Sequence, residues 1–62
     1  MDLVLKDMTC GGCAKAVTRI VTRIDPSAVV EIDLPTQKVA ITSQHPDAEL
    51  RLALSRGGFP PA

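Results

Sequence analysis

Aromatic side chains are almost absent from this chain. It has no Trp and no Tyr, and Phe59 is its one aromatic residue. Proteins that bind single-stranded nucleic acid stack the bases on aromatic rings, and this chain has no such platform. Its charges also balance, with seven Lys and Arg against seven Asp and Glu, whereas a nucleic-acid-binding domain is normally strongly basic. We therefore expect no nucleic-acid partner.

Long apolar runs are missing as well. No segment approaches the roughly 20 consecutive apolar residues that cross a bilayer, so we expect no membrane insertion. The first residues, Met1-Asp2-Leu3, lack the basic start and apolar stretch of a secretion signal. If this is the native N-terminus, the protein is predicted to be cytoplasmic, where thiols are mostly reduced.

Residues that bind metals through nitrogen or sulfur are also few. The chain has two cysteines, Cys10 and Cys13, and one histidine, His45. A structural zinc site takes four ligands and an iron–sulfur cluster takes about four thiolates, so the chain alone completes neither. A disulfide between residues this close in sequence would close a small loop and remove little unfolded-state entropy. A structural role for the cysteine pair is therefore weak.

The hydrophobic spacing alternates between strand and helix periods along one predicted domain, residues 1–62. Alternating apolar residues predict strands, and apolar residues three and four apart predict helices. The residue before a proline leaves the α region, so Asp25-Pro26 should end the first helix. Proline suits the first turn of a helix and glycine suits its end. The predicted strands are 3–6, 28–34 and 38–42, and the helices are 13–24 and one from Pro46 to Gly57-Gly58.

The resulting order of elements predicts an α+β fold. Strand, helix, strand, strand, helix and a short last strand over 59–62 form the ferredoxin-like βαββαβ pattern, an open-faced sandwich with an antiparallel sheet. Pro60 and Pro61 limit the last strand to a stub at the sheet edge. The predicted core residues are Leu3, Leu5, Val17, Ile20, Ile24, Val30, Ile32, Val39, Ile41, Leu50 and Leu54.

Two kinds of chemistry remain open for the cysteine pair. Thiolates are soft ligands that select Cu(I), Zn(II) or iron–sulfur clusters, and a site with two ligands suits Cu(I), which can take a third thiolate from a partner. A C-x-x-C pair is also typical of thioredoxin-like redox proteins, although their fold is larger. The flexible Gly11-Gly12 segment favours a site whose sulfur geometry can change. Metal binding is the favoured interpretation, and a small dithiol oxidoreductase is the alternative.

The position of the pair predicts a difference between the two thiols. Cys10 lies in a glycine-flanked loop and should be the more exposed sulfur, whereas Cys13 should begin the helix. Helix N-termini lower the pKa of thiols, so Cys13 should gain thiolate character from the helix dipole.

The segment Met8-Thr9-Cys10-Gly11-Gly12-Cys13, with Ala14 and Val17, resembles the M-x-C-x-x-C signature of the heavy-metal-associated domain. The chain is similar to cytosolic copper chaperones of the CopZ kind along nearly its whole length, including the segment 31–39 and the Leu50 and Leu54 helix. The resemblance implies a carrier and not an enzyme. It implies that Cys10 and Cys13 bind Cu(I) and deliver it by thiolate exchange to the metal-binding domain of a copper-transporting P-type ATPase.

The same resemblance suggests roles for the residues around the pair. Met8 is expected in the core beneath the loop, with Thr9, Gly11 and Gly12 shaping the loop itself. Phe59, predicted to pack near the loop, stands where related chaperones carry lysine or tyrosine and resembles the metal-binding domains of the ATPases. A regulatory domain of such an ATPase and a Zn(II), Cd(II) or Hg(II) carrier are therefore alternatives.

Two further features concern partners. Lys15, Arg19 and Arg23 are spaced by four and share one helix face, which could dock an acidic partner or be an ordinary solvated face. His45 is expected to be a loop residue and not a ligand. We expect a monomer in the metal-free state, with a copper-bridged dimer as a second state.

Overall fold

The structure, a computed structural model, describes residues 1–62. It contains the strands β1 Asp2–Val4, β2 Val29–Asp33 and β3 Lys38–Thr42 and the helices α1 Gly11–Ile24 and α2 Asp47–Arg56. The strands form one antiparallel sheet in the order β1-β3-β2, and this arrangement confirms the predicted ferredoxin-like class. Neither helix has the length and apolar character needed to cross a membrane.

The sheet register places alternate residues toward the helices. Leu3 of β1 and Ile32 of β2 both lie opposite Val39 of the central strand, and Val30 lies opposite Ile41. Side chains alternate between the two faces of a strand, so these residues share the helix-covered face. The other face carries polar residues and is open to solvent.

The core confirms most of the predicted positions, including the burial expected for Met8, and adds Val21. Each fully buried aliphatic side chain contributes about 1.5–3 kcal/mol relative to exposure. Ile20, Ile24, Val30 and Ile32 were expected in the core but are only half buried against it, because a chain this short has much surface for its volume and β2 is an edge strand. The buried core residues are Leu3, Leu5, Met8, Val17, Val21, Val39, Ile41, Leu50 and Leu54.

The second helix begins after a proline N-cap and ends at a glycine. Pro46 was expected as its first residue, but its extended ψ of 140° makes it the N-cap, and the helix begins at Asp47. The predicted glycine stop is confirmed, since Gly58 has φ 94°. The N–H of Gly58 bonds to the Ser55 carbonyl and that of Phe59 to the Leu54 carbonyl. These two bonds form a Schellman motif, which satisfies the last carbonyls of the helix.

The predicted last strand is reduced to one contact. The N–H of Ala62 donates to the Val4 carbonyl over 2.8 Å, and no strand is formed by residues 59–62. Pro60 and Pro61 have no N–H, so they cannot extend a ladder along β1. The segment therefore lies at the free edge of β1 without becoming a fourth strand.

Asp25 has a role that the sequence pattern did not reveal. It ends α1, as predicted, but its carboxylate is also buried. One oxygen accepts hydrogen bonds from the Ser27 N–H and hydroxyl, and the other accepts one of 2.7 Å from the Ser43 hydroxyl. Hydrogen bonds from Ser43 and then Ser27 lower the pKa of Asp25 from 3.8 to about 2. Asp25 thus ties the end of α1 to the end of β3.

Replacing Ser43 with alanine should reduce the acid sensitivity of the fold. Because its folded-state pKa is lowered, Asp25 stabilises the protein above its unfolded pKa of about 4, and this stabilisation is lost as the pH falls toward about 2. Removing the Ser43 hydroxyl should raise the folded-state pKa and narrow the stability difference between about pH 5 and about pH 2. Urea unfolding followed by circular dichroism at both pH values measures that difference.

The control variant is Ser55→Ala, since the Ser55 hydroxyl bonds only the Arg51 carbonyl of its own helix. A loss of unfolding free energy that is the same at both pH values cancels when the two free energies are subtracted. If Ser43→Ala and Ser55→Ala change the pH dependence of the unfolding free energy equally, the Ser43–Asp25 hydrogen bond is not the cause of that dependence.

Candidate metal centre

The first turn of α1 is organised by Cys10. The helix begins at Gly11 and not, as predicted, at Cys13, so Cys10 is the N-cap. Its carbonyl accepts the N–H of Ala14 over 3.1 Å, and its thiol sulfur accepts the N–H of Cys13 over 3.3 Å. A side chain that accepts a bond from the third helical N–H is the usual N-cap arrangement, here made with sulfur in place of oxygen.

This cap brings the two sulfurs together. The Sγ atoms of Cys10 and Cys13 lie 2.8 Å apart, and both cysteines are free. Cys10 is exposed and Cys13 is half buried, as the sequence predicted. Two soft donor atoms at the solvent-facing tip of a helix can both bind one metal ion.

The pKa of the Cys13 thiol is lowered, which confirms the predicted direction. The largest cause is the hydrogen bond with the Cys10 side chain, followed by the backbone N–H of Thr9. The prediction rested on the helix dipole alone, whereas the close sulfur contact contributes most. A hydrogen bond donated to the Cys13 sulfur stabilises its thiolate form, which is why the pKa falls.

The glycines between the cysteines lie in the helix and not in a loop. Gly11 and Gly12 are the first two residues of α1. A Cβ at Gly11 would meet no atom within 4 Å, and one at Gly12 would lie 3.9 Å from the Cys10 sulfur. Glycine costs about 1 kcal/mol relative to alanine inside a helix, so this turn is easily deformed. Side chains are thus absent where a metal and a partner would approach the sulfurs.

The segment before the cysteines is anchored from both sides. Met8 is fully buried, as predicted, and its N–H bonds the Leu5 carbonyl over 3.0 Å. From the β2–β3 turn, the side-chain amide of Gln37 donates to the carbonyls of Lys6 and Met8, over 2.9 and 3.5 Å. Gln37 lies between the predicted strands 28–34 and 38–42, and no local pattern could reveal its contact with residues about 30 positions earlier.

Phe59 is half buried and packs against the core. The backbone bond of Ala62 to Val4 places residues 59–62 along β1. The expected position of Phe59 near the cysteine loop stays a prediction.

His45 lies at the opposite end of the molecule. The hydrogen bond of Ser43 to Asp25 fixes the β3–α2 connection at the C-terminal end of α1, and a 14-residue helix is about 20 Å long. The imidazole of His45 faces Glu49 at 3.4 Å. His45 therefore lies far from Cys10 and Cys13. No group of three or more His, Cys, Asp or Glu side chains is arranged to hold a metal.

The three basic residues of α1 are exposed. No carboxylate forms an ion pair with Lys15, Arg19 or Arg23, since the one acid–base pair in the structure is His45 with Glu49. Lys15 and Arg19 line a shallow depression with Ala14 and Thr18. We call Lys15, Arg19 and Arg23 the basic stripe; it extends along α1 from a point two residues beyond Cys13.

A model of the heavy-metal-associated domain family matches residues 3–60 of this chain. The chain therefore belongs to the heavy-metal-associated domain family, as its resemblance had indicated. The human copper transport protein ATOX1 is 44% identical over 52 residues, which cover 84% of this chain and 75% of that protein.

Solved structures agree with this assignment. The copper chaperone Atx1 from Synechocystis PCC6803, in its Cu2 form, superposes with a TM-score of 0.94 at 35% identity, covering 100% of this chain and 98% of that one. A gold binding protein superposes with a TM-score of 0.96 at 36% identity, covering 98% of this chain and 94% of its own. The chain thus resembles copper chaperones in sequence and in structure.

Removing the Cys10 side chain should raise the pKa of Cys13. In Cys10→Ala the hydrogen bond that lowers this pKa most is lost, so iodoacetamide should alkylate Cys13 with a midpoint at higher pH. Site-resolved mass spectrometry of the reaction rate against pH measures the change. Cys10→Ser, whose hydroxyl can still donate, should shift the midpoint less. An unchanged midpoint in Cys10→Ala would show that the helix N-terminus and Thr9 lower the pKa of Cys13 without the Cys10 side chain.

Proposed function

We propose that this protein is a cytoplasmic Cu(I) carrier that binds the metal through Cys10 and Cys13. It passes the metal by thiolate exchange to the metal-binding domain of a copper-transporting P-type ATPase. The observation that carries the proposal is the exposed sulfur pair at the N-terminus of α1, 2.8 Å apart and with no third ligand from the chain.

The number of ligands favours Cu(I) over the alternatives. Structural zinc takes four ligands and iron–sulfur clusters take about four thiolates, but this chain brings two sulfurs together. Cu(I) is a soft ion that thiolates bind well, and it accepts two or three ligands. Names of relatives point the same way, because ATOX1 and Atx1 are described as copper proteins. Zn(II), Cd(II) and Hg(II) remain the competing cargo.

Binding requires a small movement of the sulfurs. Two thiolates that each lie about 2.3 Å from a metal, the length of a zinc–sulfur bond, are roughly 3.8–4.6 Å apart. The pair must therefore open from its separation of 2.8 Å. Gly11 and Gly12 supply the necessary freedom, since a turn without Cβ atoms resists deformation least. The helix N-terminus stabilises the negative charge that the two thiolates bring.

Transfer then proceeds by exchange of ligands without any redox change. A thiolate of the acceptor binds Cu(I) as a third ligand, and one bond from the metal to Cys10 or Cys13 breaks. A second acceptor thiolate replaces the remaining bond. The acceptor thiols release their protons, and the thiolates left on this chain take protons up. Cys10, the more exposed sulfur, is the accessible ligand for the first contact, and a third thiolate from a second copy would give a copper-bridged dimer.

The basic stripe supports recognition of an acidic partner. Its three cations have no carboxylate partner within the chain, so their charge is available to another protein. Complementary charge speeds diffusional encounter more than it strengthens the final complex. The stripe lies on the helix that carries both sulfurs, so a partner docked on it is close to the metal.

The double variant Cys10→Ser, Cys13→Ser should fold but should not bind Cu(I). Apart from Met8, the buried core lies outside the cysteine segment, so the metal stabilises a fold that already exists. Circular dichroism should stay native-like, while competition with a Cu(I) chelator should show no binding. A random-coil spectrum would mean that the metal site is structural, as in zinc fingers.

The same competition run with Zn(II) on the wild-type protein tests the choice of metal. A preference for Zn(II) would overturn the Cu(I) proposal. Metal content after anaerobic purification distinguishes a carrier from a dithiol oxidoreductase, which would contain none.

Reversing the charge of the basic stripe should slow copper transfer and leave copper affinity unchanged. Arg19→Glu with Arg23→Glu should reduce the transfer rate to a heavy-metal-associated domain of a copper ATPase about tenfold at low salt. Added salt should shrink the difference, because charges are screened over about 8 Å at physiological ionic strength.

A matched control is Arg51→Glu with Arg56→Glu, two exposed arginines of α2, which changes the net charge by the same amount. If both double variants slow transfer equally, net charge matters and the basic stripe is an ordinary solvated face.

A further inference from the structure

Gln37 adopts an unfavourable backbone conformation. With φ 60°, it is the only residue other than glycine in the left-handed region. Asn, Asp and Gly adopt this region most readily, and a longer side chain there is uncommon. Conformations of this kind persist where the surrounding contacts determine them, and they are concentrated at functional sites. The contacts of Gln37 therefore need an explanation.

Apart from its N–H, which bonds the Leu34 carbonyl over 3.1 Å within the β2–β3 turn, the hydrogen bonds of Gln37 lead to the segment between β1 and the cysteines. The Gln37 carbonyl accepts the N–H of Leu5 over 2.9 Å. Its side-chain amide has two hydrogens, and it donates to the Lys6 carbonyl over 2.9 Å and to the Met8 carbonyl at a longer 3.5 Å. The neighbouring Thr36 differs, since its hydroxyl bonds only Asp33 within the same turn.

The carbonyls that Gln37 binds belong to a tight turn, residues 5–8. Pairing of β1 with β3 ends at Val4, and the Met8 N–H closes the turn by bonding the Leu5 carbonyl. The Met8–Thr9 peptide unit is planar, so a bond to the Met8 carbonyl also fixes the direction of the Thr9 N–H. Only the two rotatable backbone bonds of Thr9 separate that peptide unit from the next one, which leads to Cys10, the cap of α1. The Gln37 amide thus restrains the path of the chain up to the first sulfur.

We propose that Gln37 is a positioning residue for the metal site: its side-chain amide holds the Lys6–Met8 segment and so sets where the Cys10 sulfur lies relative to Cys13. This inference rests on the proposed function, in which both sulfurs bind the metal. Some residues orient a metal ligand without binding the metal themselves. Replacing such a residue commonly lowers metal affinity about 10–100-fold.

Two variants of similar length separate the donor from the rest of the side chain. Gln37→Met keeps the reach of the side chain and removes its N–H donors, whereas Gln37→Lys keeps a donor at the end of a long chain. Neither residue is favoured in the left-handed region, so backbone strain is common to both. Thr36→Ala, in the same turn, is the control for loss of a local hydrogen bond.

The experiment measures Cu(I) affinity by chelator competition and amide hydrogen exchange of Thr9 and Cys10 by NMR in the metal-free protein. We expect Gln37→Met to weaken Cu(I) binding about tenfold and to speed exchange at both amides, with circular dichroism and the thermal midpoint close to wild type. Gln37→Lys and Thr36→Ala should match wild type in both measurements.

The experiment distinguishes failure of the positioning role of Gln37 from failure of the proposed function. Unchanged affinity and unchanged exchange in Gln37→Met, with wild-type binding intact, overturn the positioning role alone. Equal losses in Gln37→Met and Gln37→Lys also overturn it, since strain and not donation would then be the cause. Absence of Cu(I) binding by the wild-type protein overturns the proposed function, while the exchange measurement still reports whether Gln37 restrains the segment.

Discussion

The first turn of α1 depends on the Cys10 side chain, which both caps the helix and contacts the second sulfur. The Cys10 thiol accepts the N–H of Cys13 and so starts the helix, and the same atom lies 2.8 Å from the second sulfur. A thiolate is a better acceptor than a thiol because charged hydrogen bonds are stronger, so loss of the Cys10 proton on metal binding would reinforce the cap. The positive end of the helix favours that charge further. The Cys10 sulfur therefore begins the helix and, from the same position, lies beside the second soft donor atom.

The core holds this turn in place without taking part in its chemistry. Val17 and Val21 fix α1 to the sheet, and Met8 is buried beneath the segment that leads to Cys10. The sulfurs themselves lie toward solvent, at the end of the helix opposite Asp25. Because the buried contacts and the sulfurs are separate, the first turn can change shape while the rest of the fold stays fixed. This division suits a site that must open to accept a metal and open again to release it.

In the proposed function, an incomplete ligand set explains both binding and release of the metal. A site that saturated the coordination of its metal would hold it against any acceptor, since exchange would need a bond to break first. Two thiolates leave a position where an incoming sulfur can bind, so the metal never has to be free in water. The glycines leave that approach uncovered, and the basic stripe offers charge that can guide an acidic partner to it. Specificity then depends on the partner's surface as well as on the metal.

The sequence by itself determined five of the six predicted elements and the position of the cysteine pair. Hydrophobic periodicity specified the strands and helices, Asp25-Pro26 and Gly57-Gly58 ended the helices, and the C-x-x-C spacing identified the sulfurs, because all of these depend on residues close along the chain. The tertiary structure decided what depends on distant residues. Asp25 meets Ser43 across 18 positions and Gln37 meets Lys6 across 31. Whether those groups meet depends on how the sheet and helices pack, which no local pattern encodes.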